Sequence, residues 1–207
     1  MRNNGVIILV ECALGVALAV ALQYLAIRLP INFAGGSISF AMLPIGIVAL
    51  RRGAAAGALM GAIFGMFDLL IGPYIVHWAQ VLLDYPVPYL LFGAVVGLFA
   101  RPYAWTTKRL VEKGKTLLFS RLTAGSIVIA GAFVAGGALR YASHVLSGVI
   151  FFSEYAEGGN VWAYSFVYNI AYLGPSLVVS LALALIIVPI LAHAVPSVVP
   201  SLRSKKK

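Results

Sequence analysis

The sequence predicts an all-α integral membrane protein, a single domain of six transmembrane helices, and three observations carry that reading. Apolar residues make up 62% of the 207 and charged residues 10%, against roughly 45–50% and about 25% in a soluble domain. The apolar residues fall into long runs separated by polar breaks too short to build a core of their own. The basic residues collect in alternate breaks and towards the C-terminus, the asymmetry that membrane insertion imposes.

Six runs define the spans, at 5–27, 38–50, 53–71, 76–99, 117–150 and 162–193. A helix needs about 20 residues to cross the hydrocarbon core. The second span is therefore short, and the last two are long enough to project beyond the bilayer or run obliquely. With the N-terminus in the cytoplasm, 13 of the 15 basic residues lie inside: Arg2, Arg51, Arg52, Arg101, Lys108, Arg109, Lys113, Lys115, Arg121, Arg203, Lys205, Lys206 and Lys207. Arg28 falls in an outer loop, Arg140 within a span, and the outer break at 153–160 carries Glu154 and Glu157. Both termini are thus expected in the cytoplasm.

The first run continues to Ala26 with no small-residue cleavage site, so it reads as a retained helix and not a signal peptide. It carries Ala13, Ala17 and Ala21 at every fourth position, a small-residue ridge that lets another helix approach closely. With no polar or bulky reason for this span to face the bundle, an external partner helix explains the alanines as well as internal packing does. In the third span Gly53, Gly57, Gly61 and Gly65 repeat the spacing, and there internal packing is the expectation. The one cysteine, Cys12, can build neither a disulfide nor a thiolate metal site within the chain.

The fourth span holds Asp84, 16 residues before Ala100, or about 24 Å along a continuous helix. His144 lies 23 residues beyond Arg121, about 35 Å on the same scale, and Asn169 is near the outer start of the last span. All three reach a similar depth. An intramembrane carboxylate is costly unless paired or wetted, so Asp84 is a functional candidate. A structural pair with Arg140, one turn before His144, explains it equally well. Asp68 has fewer polar neighbours and reads as structural. His77 and Trp78 sit where interfacial aromatics are expected, His193 is an interface residue at the other side, and 101–120 reads as a basic cytoplasmic loop around Trp105, solvated or in contact with anionic lipid or a partner.

The stretch 140–172 is the most telling. Two apolar segments meet across SEYAEGGNVW, flanked by His144, Phe151, Phe152, Tyr155, Trp162, Tyr164, Tyr168, Asn169 and Tyr172. Aromatic faces with a few placed polar groups suit a small, flat, cationic molecule. No phosphate-binding loop, nucleophile elbow, zinc-protease pair or dinucleotide fingerprint is present, so the chain itself does not hydrolyse ATP. The three histidines are too dispersed to suggest a metal, and no cofactor is implied. The net charge of +9 follows from topology, so no nucleic-acid partner is expected.

Several segments resemble one family along nearly the whole chain: Ala13-x-x-x-Ala17, PIGIVALRRG at 44–53, YIVHWAQVLLDYPVPY at 74–89, RYASHVLSGVIFFSEYA at 140–156 and AYSFVYN at 163–169. The sequence is similar to the ThiT family, the thiamine-specific substrate-binding subunits (S components) of energy-coupling factor transporters. The resemblance implies a six-helix fold in a prokaryotic plasma membrane, with a pocket that opens outside and binds thiamine. It implies ligand contacts from Tyr74, Asp84, Tyr85, His144, Gly148, Phe152, Tyr164 and Asn169. It further implies that Ala13 and Ala17 dock a transmembrane coupling subunit, which joins two cytoplasmic ATPases that supply the energy. The family pattern has glutamate where Asp84 stands, tryptophan where Phe152 stands, and a lid tryptophan at the position of Gly35; either Phe33 substitutes as the lid or Gly35 and Gly36 serve a tight turn. Two other functions fit the residues: the same kind of subunit for another vitamin or a thiamine precursor, and a membrane enzyme using His144 and Asp84 as acid and base.

Overall fold

The computed structural model describes residues 4–25, 27–28 and 37–194. In chain order these form helix α1 (Asn4–Tyr24), two short strands β1 (Ile27–Arg28) and β2 (Ser37–Ile38), and helices α2 (Met42–Arg52), α3 (Ala54–Ile71), α4 (Trp78–Asp84), α5 (Pro86–Leu98), α6 (Ala100–Glu112) and α7 (Leu117–Ser120). A π-helical turn (Arg121–Gly125) leads into α8 (Ser126–Phe151), and a 3₁₀ turn (Ser153–Ala156) precedes α9 (Val161–Ala194). The strands pair antiparallel, with Ile27 opposite Ile38. The lid candidates Phe33, Gly35 and Gly36 lie outside the described residues.

Five helical segments among the described residues are long and apolar enough to cross a membrane: 5–24, 54–71, 78–112, 117–151 and 161–194. The short second span is α2, whose 11 residues reach only about 16 Å. Its Met42, Ile45, Ala49 and Leu50 are buried in the bundle.

Two sequence expectations change here. The fourth span is broken at Tyr85, whose φ of −117° and ψ of −80° leave the helical region between α4 and α5. Pro86 is the cause, because its ring excludes the preceding residue from helical geometry and it donates no backbone hydrogen bond. Asp84 therefore ends a short helix and does not lie within a continuous one. The basic stretch 101–120 is no loop: α6 occupies most of it, burying Tyr103, Ala104 and Thr107 and exposing Arg101, Trp105, Lys108 and Arg109.

The glycine ridge of α3 packs internally, as expected, against α5. A Cβ on Gly57 would stand 2.2 Å from the Gly93 carbonyl oxygen, one on Gly61 2.1 Å from that of Tyr89, and one on Gly65 2.3 Å from that of Tyr85. Only hydrogen fits at these three crossings. Gly53, with φ of 90°, makes the reversal between α2 and α3. In lipid such close packing replaces the hydrophobic effect as the force between helices.

Helix α1 packs Cys12, Val16 and Ala19 inward and leaves Ala13, Ala17 and Ala21 exposed with Leu14 and Leu18. It has a polar anchor that the sequence reading passed over. Glu11 accepts hydrogen bonds from Arg51 at 2.8 Å and Arg52 at 2.5 Å, which ties α1 to the end of α2.

Candidate functional site

At the end of α3 far from Arg51 and Arg52 the bundle opens into a cavity of about 300 Å³. Its wall is built by the ends of α3, α8 and α9, the 72–77 connection, and α4. Tyr74, Asp84, Tyr85, His144, Gly148, Phe152, Tyr164 and Asn169, which come from four separate stretches of the chain, all line it.

The α4–α5 break positions the first three. Tyr85 is buried beneath the 72–77 connection; its hydroxyl accepts from the Tyr74 backbone N–H at 2.8 Å and donates to the Gly72 carbonyl at 3.2 Å. Gln80, 1% exposed, lies one turn before Asp84 on the same face of α4. Its amide donates to the Asp84 carboxylate at 2.6 Å and to the Tyr74 carbonyl at 3.1 Å, and its oxygen accepts from the Val76 N–H. One glutamine thus holds both the carboxylate and the connection above it.

Helix α8 supplies the imidazole. Ser143 donates to the Leu83 carbonyl at 2.7 Å, fixing α4 against α8. This brings His144 Nδ1 to 3.4 Å from Asp84 Oδ1. His144 Nε2 is buried and has no hydrogen-bond partner among the described residues. One turn on, a Cβ at Gly148 would stand 2.2 Å from Ser165 Oγ, so this glycine lets α9 approach α8. Asn169 completes that seam: its Nδ2 donates to the Ser165 carbonyl at 2.9 Å, and its Oδ1 accepts from Tyr172 at 2.7 Å.

Aromatic rings close the opening. The Tyr74 and Tyr155 hydroxyls meet at 2.7 Å, and Tyr74 stacks on Phe152 with centroids 5.8 Å apart. The hydrogen bond with Tyr155 raises the Tyr74 phenol above its ordinary pKa, so it stays neutral. Tyr164 stacks on Tyr168 at 5.9 Å. Trp78, at the expected interfacial position, and Trp162, beside the polar break, are 72% and 50% exposed and do not line the cavity.

Two pairings differ from the sequence expectation. Asp84 is held by His144 and Gln80 and not by Arg140. Arg140 turns instead to Tyr89, whose hydroxyl it reaches at 2.9 Å and whose ring centroid lies 4.1 Å from its Cζ. The Tyr89 hydroxyl in turn donates to Asp68 at 3.1 Å. Asp68, read as a structural residue with few polar neighbours, therefore lines the cavity beside Arg140, Tyr89 and Gln23. The reading missed Gln23, Gln80 and Tyr89 altogether. For Gln80 a signal was present in its four-residue spacing from Asp84; for Tyr89 and Gln23 there was none, because helix rotation alone decides that they face inward.

Comparison with known proteins agrees with the resemblance read in the sequence. The family described as Thiamine transporter protein (Thia_YuaJ) matches residues 9–199. The chain is 34% identical over 180 residues to "Thiamine transporter ThiT" of Bacillus subtilis, covering 86% of this chain and 88% of that protein. It is 28% identical over 200 residues to "Thiamine transporter ThiT" of Lacticaseibacillus paracasei, covering 94% and 91%. A solved structure of ThiT from Listeria monocytogenes superposes with a TM-score of 0.72 at 27% identity, covering 95% of this chain and 98% of that one. By this match, over almost its full length, the chain belongs to the thiamine transporter protein family.

Proposed function

We propose that this protein is the thiamine-binding S component of an energy-coupling factor transporter, taking up vitamin B1 through a cavity that opens to the outside. The observation that carries the reading is the charge inside an aromatic wall. Two carboxylates, Asp68 and Asp84, stand against one guanidinium, Arg140, so the cavity has one formal negative charge when His144 is neutral. Thiamine is a monocation with two flat rings. Aromatic faces attract such a cation by about 0.5–2 kcal/mol each, and Tyr74, Tyr85, Phe152 and Tyr164 provide them. Asp84, the free Nε2 of His144 and the Asn169 carbonyl offer complementary groups for an aminopyrimidine edge. The cavity volume of about 300 Å³ lies at the small end of ligand pockets.

The rest of the assembly follows the same reading. The chain crosses the membrane six times, α2 being the short crossing, with both termini in the cytoplasm of a prokaryotic cell. The exposed Ala13 and Ala17 face of α1 docks a transmembrane coupling subunit joined to two ATPases, and the surrounding apolar faces meet the lipid bilayer. The relatives are named transporters, and binding without chemical change is the expected activity.

Equilibrium binding of thiamine to the purified protein, measured by calorimetry, tests this. The expected Kd is below micromolar, with the ligand recovered unchanged. The second reading, the same kind of subunit for another vitamin or a thiamine precursor, rests on Asp84 and Phe152, where the family pattern has glutamate and tryptophan. Thiamine weaker than micromolar with a precursor or another vitamin much tighter would reject the first. Covalent change of the ligand by the protein alone would support an enzyme.

A further inference from the structure

One turn below Asp84, Tyr85 and His144 the cavity holds an arginine with more donors than partners. Arg140 is 4% exposed and lines the cavity. Its Nη2 is taken by the Tyr89 hydroxyl at 2.9 Å. Its Nε and Nη1 are buried and meet no acceptor among the described residues. Asp68 does not take them: it accepts from the same Tyr89 hydroxyl at 3.1 Å, so one phenol stands between guanidinium and carboxylate. An unpaired buried N–H of a charged group carries its full desolvation cost. An acceptor atom delivered by a ligand would remove that cost only while the ligand is bound.

The chemistry of the three residues restricts what can arrive. A cationic amine would face Arg140, an anionic group would face both Asp68 and Asp84, and an alkyl group would leave the arginine unpaired. A neutral hydroxyl satisfies both sides, since it accepts from a guanidinium N–H and donates to a carboxylate oxygen. We propose that Asp68, Tyr89 and Arg140 form a second polar subsite in the floor of the cavity, which binds a hydroxyl on a short arm of the cationic ligand. This rests on the thiamine reading above and deepens it: the thiazolium ring carries a hydroxyethyl arm of this kind. The Tyr89 ring, itself held edge-on by Phe64 at 4.6 Å, keeps the guanidinium in place before the ligand arrives.

The test compares thiamine with an analogue whose hydroxyethyl arm is an ethyl group, both titrated calorimetrically into the purified protein. Hydrogen bonds to charged groups predict at least tenfold weaker binding of the ethyl analogue to the wild-type protein. In Arg140→Gln and in Asp68→Asn the gap between the two ligands should shrink to threefold or less. Equal binding of both ligands by the wild-type protein overturns the subsite, and this arm needs no variant to fold. Arg140→Gln weakening both ligands by the same factor also overturns it, since the arginine would then be structural, its donors met by water. Thiamine failing to bind at all would sink the parent reading; thiamine binding with no preference for the hydroxyl would sink the subsite alone.

Discussion

Asp84 and His144 meet across the junction of α4 and α8, Oδ1 to Nδ1 at 3.4 Å, although they lie 60 positions apart in the chain. The contact exists because Pro86 ends α4 at this carboxylate and Ser143 ties the end of α4 to α8. The imidazole turns Nδ1 towards the carboxylate, and its Nε2 has no hydrogen-bond partner among the described residues.

If this pair holds the ligand, Asp84→Asn and His144→Ala each weaken thiamine binding at least tenfold without loss of folded protein. Calorimetry with size-exclusion chromatography on each variant measures both. Unchanged affinity in both variants would remove the pair from the site.

Gln80 should act on the same carboxylate indirectly. Gln80→Ala frees Asp84 and the 72–77 connection together, removing three hydrogen bonds. At about 0.5–1.5 kcal/mol for each of the two neutral bonds and about 1.5–3 kcal/mol for the one to the carboxylate, we expect at least tenfold faster thiamine dissociation with a smaller change in association. Stopped-flow exchange with labelled ligand reads both rates; an unchanged dissociation rate would show that α4 holds its shape without Gln80.

Transport should separate from binding on α1. Ala13→Leu and Ala17→Leu place bulk on an exposed face that does not line the cavity. Intact thiamine affinity with failed uptake into cells or proteoliposomes is the expected pair of results, and normal uptake by both variants would refute a docking role.

The α3–α5 crossing should resist any added atom. Gly57→Ala would force a methyl against the Gly93 carbonyl, whereas Gly131→Ala has only Phe99 nearby, at 3.8 Å. Overpacking of about 1–3 kcal/mol should lower the Tm of the first variant in detergent, while the second stays within experimental error of wild type. Equal Tm values would mean that the crossing can relax.

Topology is open to labelling in intact cells. Cys12 is buried, so a cysteine introduced by Glu157→Cys should react with an impermeant maleimide and one introduced by Lys113→Cys should not. The reverse pattern would invert the protein in the membrane.

Much of this was legible because lipid imposes local rules. Hydrocarbon thickness sets the length of an apolar run, and the insertion machinery reads basic residues close to each span, so composition and charge order could be read one segment at a time. The broken fourth span was also visible in principle: Pro86 follows Tyr85 directly, but a long apolar run outweighed it in the reading. Cavity-lining residues on shared motifs, such as Asp84 within LLDYPVPY, were legible for the same local reason.

By itself, then, the sequence determined a helical membrane protein, its family, and eight residues that prove to surround one cavity. Only the tertiary structure decided the partners: His144 and Gln80 for Asp84, Tyr89 for both Arg140 and Asp68, Glu11 for the arginines of α2. Pairing depends on how far each helix is rotated about its own axis. Contacts between residues distant in the chain set that rotation, such as Gly57 against Gly93 and Gly148 against Ser165, and no local pattern encodes them.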